Sequence, residues 1–232
     1  MFERMHHQRI ARVLESLNAP LLATNGCLFG GGTAIALRYG EYRESVDIDF
    51  MCSDTNGFRA LRRLLDARKD LAPIQLEGSV LWPLTREVRA DEYGIRTILL
   101  LDGQSVKFEI VREDRIEFEK PGRADVICGV STLTPLDMAV SKMLANADRW
   151  GDDGVFSRDL IDLAMMNPRL PLLRQATAKA EQAYGKSVRD CLDKAIDRFK
   201  NRLGHAERCM EVMAMDCPKA LLWQRMRGLS RR

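Results

Sequence analysis

The sequence predicts an α+β protein in which a mixed β-sheet flanked by helices, residues 1–130, is followed by a helical bundle, residues 131–232. Three strand-like runs, residues 74–80, 95–101 and 105–111, follow one another with no helical pattern between them. Asp102-Gly103 supplies the turn that joins the last two as a hairpin. Beyond about residue 130 only helical spacing recurs. Strands in succession, with helices confined to the start, disfavour a doubly wound parallel sheet.

The elements follow in order from local chemistry. Ile10, Val13, Leu14 and Leu17 share one face at helical spacing, and Asn18-Ala19-Pro20 ends that helix. Cys27-Leu28-Phe29 reads as a short buried strand running into Gly30-Gly31-Gly32. Residues 34–39 look helical, 46–50 strand-like and 58–68 helical. Thr134-Pro135 is an N-cap followed by proline at the first helical position, and Leu136, Ala139, Val140, Met143, Leu144 and Ala147 continue at three- and four-residue spacing. A further helix begins near Val155, carries Phe156, Leu160, Leu163 and Ala164 on its apolar face, and stops at Asn167-Pro168. Residues 172–184, 188–203 and 208–215 complete the helical set.

Composition narrows the function classes. With 46% hydrophobic and 30% charged residues the chain is an ordinary globular protein. Its longest apolar stretches are broken by Asn25, Asp102 or glycine, far short of the ~18 residues a membrane helix needs. The first seventeen residues carry charges where a signal peptide needs an apolar core, so the expected location is the cytoplasm. Six cysteines without a C-x-x-C pair, and three histidines of which only His6 and His7 are adjacent, disfavour a zinc site and read as free thiols. The net charge is +3. From Pro135 onward there are 18 Lys and Arg against 13 Asp and Glu, and upstream 18 against 20. An acidic front half suits metal, and a basic back half, including Arg225, Arg227, Arg231 and Arg232, permits a phosphodiester partner.

The chemistry-bearing stretch is residues 28–50. A strand that ends in glycines at the mouth of a helix exposes backbone N–H groups where the helix dipole is positive, which suits phosphate. The turn lacks the G-x-G-x-x-G pattern and no Gly-Lys-Ser/Thr follows it, so this is not a Rossmann or P-loop turn. Asp47 and Asp49, one residue apart, project to the same side of a strand, and two such carboxylates stay ionised together when a cation lies between them. Magnesium, with its preference for carboxylate and phosphate oxygen, is the natural candidate. Taken singly, each motif has an ordinary reading, a turn with an N-cap and a solvated strand edge. Their linked spacing favours one site.

Gly31-Gly32-Thr33-Ala34, Leu37-Arg38, Arg43, Ser45 and Asp47-Ile48-Asp49-Phe50 resemble the AbiEii/AbiGii-type nucleotidyltransferase toxins, within the polymerase β-like nucleotidyltransferase superfamily. Val106-Lys107-Phe108-Glu109-Ile110, Lys142 and the run Arg158-Asp159-Leu160-Ile161-Asp162-Leu163 extend the resemblance over roughly residues 28–165. It implies a nucleotidyltransferase-type sheet, and Glu109, which alternation turns away from Val106, Phe108 and Ile110, as third metal-binding carboxylate beside Asp47 and Asp49. Two Mg2+ ions and an NTP are then expected, with Gly31, Gly32, Thr33, Lys142 and Arg149 around the phosphates. Lys142 and Arg149 lie on one helical face; a solvated charged stripe is the other reading. The resemblance gives Asp159 the task of orienting the lysine or an acceptor hydroxyl, while Asp162 is open to pairing with Arg158. Lys107 is either a surface partner of Glu109 or part of the site.

The resemblance implies a magnesium-dependent transfer of a nucleoside monophosphate to an acceptor hydroxyl by a toxin. The acceptor it suggests is RNA, such as the 3′ end of tRNA, and a cognate antitoxin restrains it. A small-molecule transferase of the aminoglycoside type, for which Asp152-Asp153 leaves room, and a non-catalytic nucleotide-binding module are the alternatives. The three carboxylates argue against the latter.

Overall fold

The structure, a computed structural model, describes residues 2–230, so Arg231 and Arg232 lie outside the described residues. The helices and strands run α1 (Met5–Glu15), α2 (Ala19–Thr24), β1 (Cys27–Phe29), α3 (Gly31–Arg38), β2 (Ile48–Cys52), α4 (Thr55–Arg68), β3 (Leu84–Ala90), β4 (Gly94–Leu101), β5 (Gln104–Arg112), β6 (Val126–Ile127) and β7 (Val130–Ser131). Then come α5 (Pro135–Arg149), α6 (Arg158–Met165), α7 (Leu170–Tyr184), α8 (Ser187–Asn201), α9 (His205–Val212) and α10 (Lys219–Leu229). They form two compact units. Among the described residues the first takes those up to 37 and 45–134, the second 38–44 and those from 135 on. Residues 38–44, which sequence reasoning places in the α/β part, cluster with the helices because their backbone is tied there: Glu44 N–H donates to Met213 C=O and Asp216 N–H to Tyr42 C=O, each at 3.0 Å.

The first unit is built on a five-stranded mixed sheet in the order β1-β2-β5-β4-β3. Only β2 and β5 are parallel; the other neighbours are antiparallel. One face is apolar because strand residues alternate: Ile48, Phe50 and Cys52 of β2, and Val106, Phe108 and Ile110 of β5, are all buried. Phe29, Phe50 and Phe108 stack at 5.5 and 5.7 Å between ring centroids. Helix α4 packs on β2 and β3 with Phe58, Leu61 and Leu65 buried. The other face carries Asp49, Lys107, Glu109 and Arg96, whose strand neighbours on either side are buried. The hairpin between β4 and β5 turns at Asp102 and Gly103, both at positive φ (49° and 77°), as a two-residue primed turn requires.

Several elements differ from the sequence reading; α6, for one, begins at Arg158 and not near Val155, because Phe156 and Ser157 are left-handed (φ 53° and 51°). Residues 74–80 are not a strand: they leave a 3-10 turn (Ala72–Ile74), and Gly78 at φ 76° bends the chain. Leu76 and Val80 are exposed, so the apolar alternation there has no buried face to match. The third strand is instead β3, a sheet edge whose sequence is mostly polar. Asn18 does not end a helix but begins α2, its Oδ1 accepting from Leu21 N–H at 3.0 Å with Pro20 in the first turn.

In the second unit α5 packs against α6, α7 and α8, and α6 against α10, an element that sequence reasoning missed. Val140, Met143, Leu144, Leu160, Leu163 and Leu173 fill the space between them. No helix among the described residues is long and apolar enough to cross a membrane.

Candidate functional site

Within the α/β unit the glycine turn and the aspartates are in direct contact. Gly30 N–H donates to Asp49 C=O at 2.8 Å, which brings the start of α3 against the polar face of β2. Gly31 sits at φ +68°, and a Cβ built on it would lie 2.5 Å from Asp49 Oδ2. Only glycine satisfies both the backbone and the space. Thr33 is buried; its Oγ1 donates to Asp47 C=O at 2.5 Å and lies 2.8 Å from Ser45 Oγ. The Thr33 hydroxyl is thus committed to holding Asp47 through its backbone carbonyl.

Asp49 and Glu109 are register partners on the parallel strands β2 and β5, so their side chains leave the same face one strand apart, at about 4.8 Å. Asp47 precedes β2, and Asp47 and Glu109 line a common cavity of about 460 Å³ with Arg86, Arg89, Arg96 and Lys107. Glu109 is held by Lys107 Nζ at 2.6 Å and Arg96 Nε at 3.2 Å. As placed, no three His, Cys, Asp or Glu side chains among the described residues converge as a metal-binding group. The donor chemistry nonetheless fits a hard divalent cation: neighbouring carboxylates meet a backbone turn that a single Cβ would block, once Glu109 turns from its two cations.

Replacing Gly31 by alanine is expected to destabilise the protein by about 1–3 kcal/mol and to displace Asp49. A melting curve checks the first effect and nucleotide transfer the second. Unchanged values in both would show that the turn tolerates a side chain.

The helical unit gathers a second set. Lys142 of α5 donates from Nζ to Asp159 Oδ1 at 3.0 Å and pairs with Asp162 Oδ2 at 2.7 Å. Arg149 grips Asp159 with two bonds of 2.7 and 3.0 Å. Asp162 is fully buried and pairs with Arg43, whose Nε and terminal nitrogen donate at 2.7 and 3.0 Å, while Tyr42 OH donates at 2.6 Å. Its partner is therefore Arg43, 119 residues away, and not Arg158. Helical spacing had offered Arg158, but Asp162 points into the bundle. Burial opposes ionisation of Asp162 and Asp159, yet the adjacent cations outweigh it and hold both carboxyls below the usual range. For Asp162 these are Arg43 and Lys142, and for Asp159 they are Lys142 and Arg149.

Three cations against two carboxylates leave one positive charge. Lys142 is buried with its charge spent on the aspartates, whereas the Arg149 side chain is 40% exposed. Arg149 is thus the member of this set that can meet an anion from solvent. Tyr42 and the pairing role of Arg43 escape sequence reasoning, because nothing local to residues 42–43 signals a partner on α6.

The family model described as nucleotidyl transferase AbiEii toxin, type IV toxin–antitoxin system, matches residues 12–228. MenT4, a nucleotidyltransferase toxin from Mycobacterium tuberculosis H37Rv, is similar in fold at 16% identity and a TM-score of 0.50, covering 99% of this chain and 86% of that one. JHP933 from Helicobacter pylori is similar at 18% identity and a TM-score of 0.45, covering 100% of this chain and 96% of that one. No curated protein matches the sequence. With its mixed sheet, its glycine turn against Asp49 and a family match over nearly its full length, the chain belongs to the AbiEii family of nucleotidyltransferase toxins.

Proposed function

We propose that this nucleotidyltransferase moves a nucleoside monophosphate from an NTP to a hydroxyl of RNA, the 3′ end of tRNA being the leading acceptor. It does so with magnesium, in the cytoplasm, and under restraint by a cognate antitoxin. The observation that carries the reading is Gly31 lying against Asp49, with Glu109 in register beside it. The first turn of α3 offers backbone N–H groups to the triphosphate, and the missing Cβ at Gly31 lets phosphate approach the carboxylate face. Thr33 fixes Asp47 through its backbone carbonyl. Asp47, Asp49 and Glu109 would hold the divalent cation, which when bound lowers the pKa of the acceptor hydroxyl and offsets charge on the leaving pyrophosphate. The acceptor oxygen bonds to the α-phosphorus as the bond to pyrophosphate breaks. In the helical unit Asp159 and Asp162 immobilise Lys142, and Arg149 supplies an exposed cation.

Charge chooses between acceptors. The cavity beside Asp47 and Glu109 is lined by four cations, Arg86, Arg89, Arg96 and Lys107, against three carboxylates, with Asp91 the third. A polycationic aminoglycoside gains nothing from such walls, and a polyanion does. Incubating the protein with each α-labelled NTP and total RNA, with and without magnesium, tests the reading. Magnesium-dependent label on RNA is expected, and label on protein or small molecules only would overturn it.

A further inference from the structure

The polar face of the sheet is graded in charge. Register partners run in a line from Asp49 on β2 to Glu109 on β5, to Arg96 on β4, to Arg89 on the edge strand β3. A second line runs from Lys107 on β5 through Ile98 on β4 to Arg86 on β3. Strands lie about 4.8 Å apart, so the β3 arginines start two strands, about 10 Å, beyond Glu109. Gly31 approaches from the opposite side, at Asp49.

The cations of this cavity are not equivalent. Arg96 is tied to Asp91 at 2.9 Å and to Glu109 at 3.2 Å, and Lys107 to Glu109 at 2.6 Å. Arg86 and Arg89 are exposed and make no ion pair among the described residues. Both line the cavity that Asp47 and Glu109 share. Two unneutralised guanidiniums beside a carboxylate site are placed to take phosphate from a long anionic ligand, since a guanidinium matches phosphate oxygens with two parallel donors.

We infer that Arg86 and Arg89 form a clamp for the backbone phosphates of the acceptor strand, a single-stranded RNA end that crosses β3 and β4 and leaves its terminal hydroxyl at the carboxylates. This rests on the transfer reading above. The triphosphate then enters from the α3 side and the acceptor from the β3 side, so the two polyanions do not compete for the same donors. The clamp reads phosphate and not base, so it sets affinity and salt dependence and leaves sequence preference to other contacts.

The test compares wild type with Arg86→Glu/Arg89→Glu, which keeps the edge strand charged and so guarded against pairing, and with Arg86→Lys/Arg89→Lys, which keeps the charge but loses the fork. RNA affinity is read by filter binding across a salt series, NTP affinity by calorimetry, and folding by melting temperature. In the glutamate variant RNA affinity is expected to fall at least tenfold. The log–log salt slope should shrink by about 1.4, two phosphates at ~0.7 each on a single strand. NTP affinity and melting should stay unchanged. The lysine variant should retain most of the slope. Undiminished RNA binding in the glutamate variant, while wild type labels RNA, overturns this inference alone. A loss confined to NTP affinity overturns it too and gives the arginines to the triphosphate. Wild type that neither binds nor labels RNA overturns both this inference and the acceptor reading.

Discussion

Asp49→Ala and Asp47→Ala are each expected to abolish label transfer from an α-labelled NTP while leaving the fold intact. Both side chains are half-buried and lie on or beside the polar face of the sheet, away from the Phe29, Phe50 and Phe108 stack, so their loss removes charge and not packing. Metal-held charge at a developing phosphoryl transition state is worth several kcal/mol, and each 1.36 kcal/mol is tenfold in rate, so a drop of about 10³-fold or more is expected. Asp49→Asn separates charge from shape, because it keeps the side chain that packs under Gly31 and should be nearly as inactive. Melting temperature checks the fold in each case. Transfer at the wild-type rate in any of these variants would sink the metal assignment.

The second large effect concerns stability. Asp162→Ala leaves Arg43 and Lys142 facing each other without their shared carboxylate in a site where all three are buried. Removing one partner of such a buried set costs about 3–5 kcal/mol, because the charge left behind is not re-solvated. Arg43→Ala should cost less, since Lys142 and Tyr42 still hold Asp162. Urea unfolding followed by tryptophan fluorescence reports on this unit through Trp150 and Trp223. A loss below about 1 kcal/mol for Asp162→Ala would mean that the network is solvated.

The same network sets an acid limit. The carboxyls of Asp159 and Asp162 are depressed, so the stability they contribute is fully present above the ordinary carboxylate value, about 3.8, and is lost as pH falls through their lower folded values. Stability should hold from pH 7 to 5 and decline below about pH 4, with a shallower acid decline in Asp162→Ala.

What could be read in the sequence was local and periodic. The glycine run before a D-x-D, the alternation around Glu109, the Asp102-Gly103 turn and the Pro135 helix start each follow from short-range rules, and the structure forms these elements. What could not be read depends on distant partners. Edge strand β3 buries little beyond Val88, so no apolar period marks it. Asn18 fits a helix end as well as a helix start until Leu21 N–H is seen bound to it. Lys142 sits on the polar side of a helical wheel, and only Asp159 and Asp162 of α6 turn that side into buried space. Nothing in the turn itself signals that the Thr33 hydroxyl bonds the backbone carbonyl of Asp47, fourteen residues on.

The parallel pairing of β2 with β5 has a bearing on how such a toxin is made. Asp49 and Glu109 belong to strands with α4, β3 and the start of the hairpin between them, so neither carboxylate meets the other until β5 has been synthesised and has docked beside β2. A nascent chain still short of β5 carries the glycine turn with Asp47 and Asp49 but lacks Glu109. Fragments left by early termination or by proteolysis within the β3–β4 segment lack the pair in the same way. Growth inhibition of the proposed kind then switches on only with completion of the sheet, which gives the cell the translation and folding time of most of the first unit in which to supply an antidote.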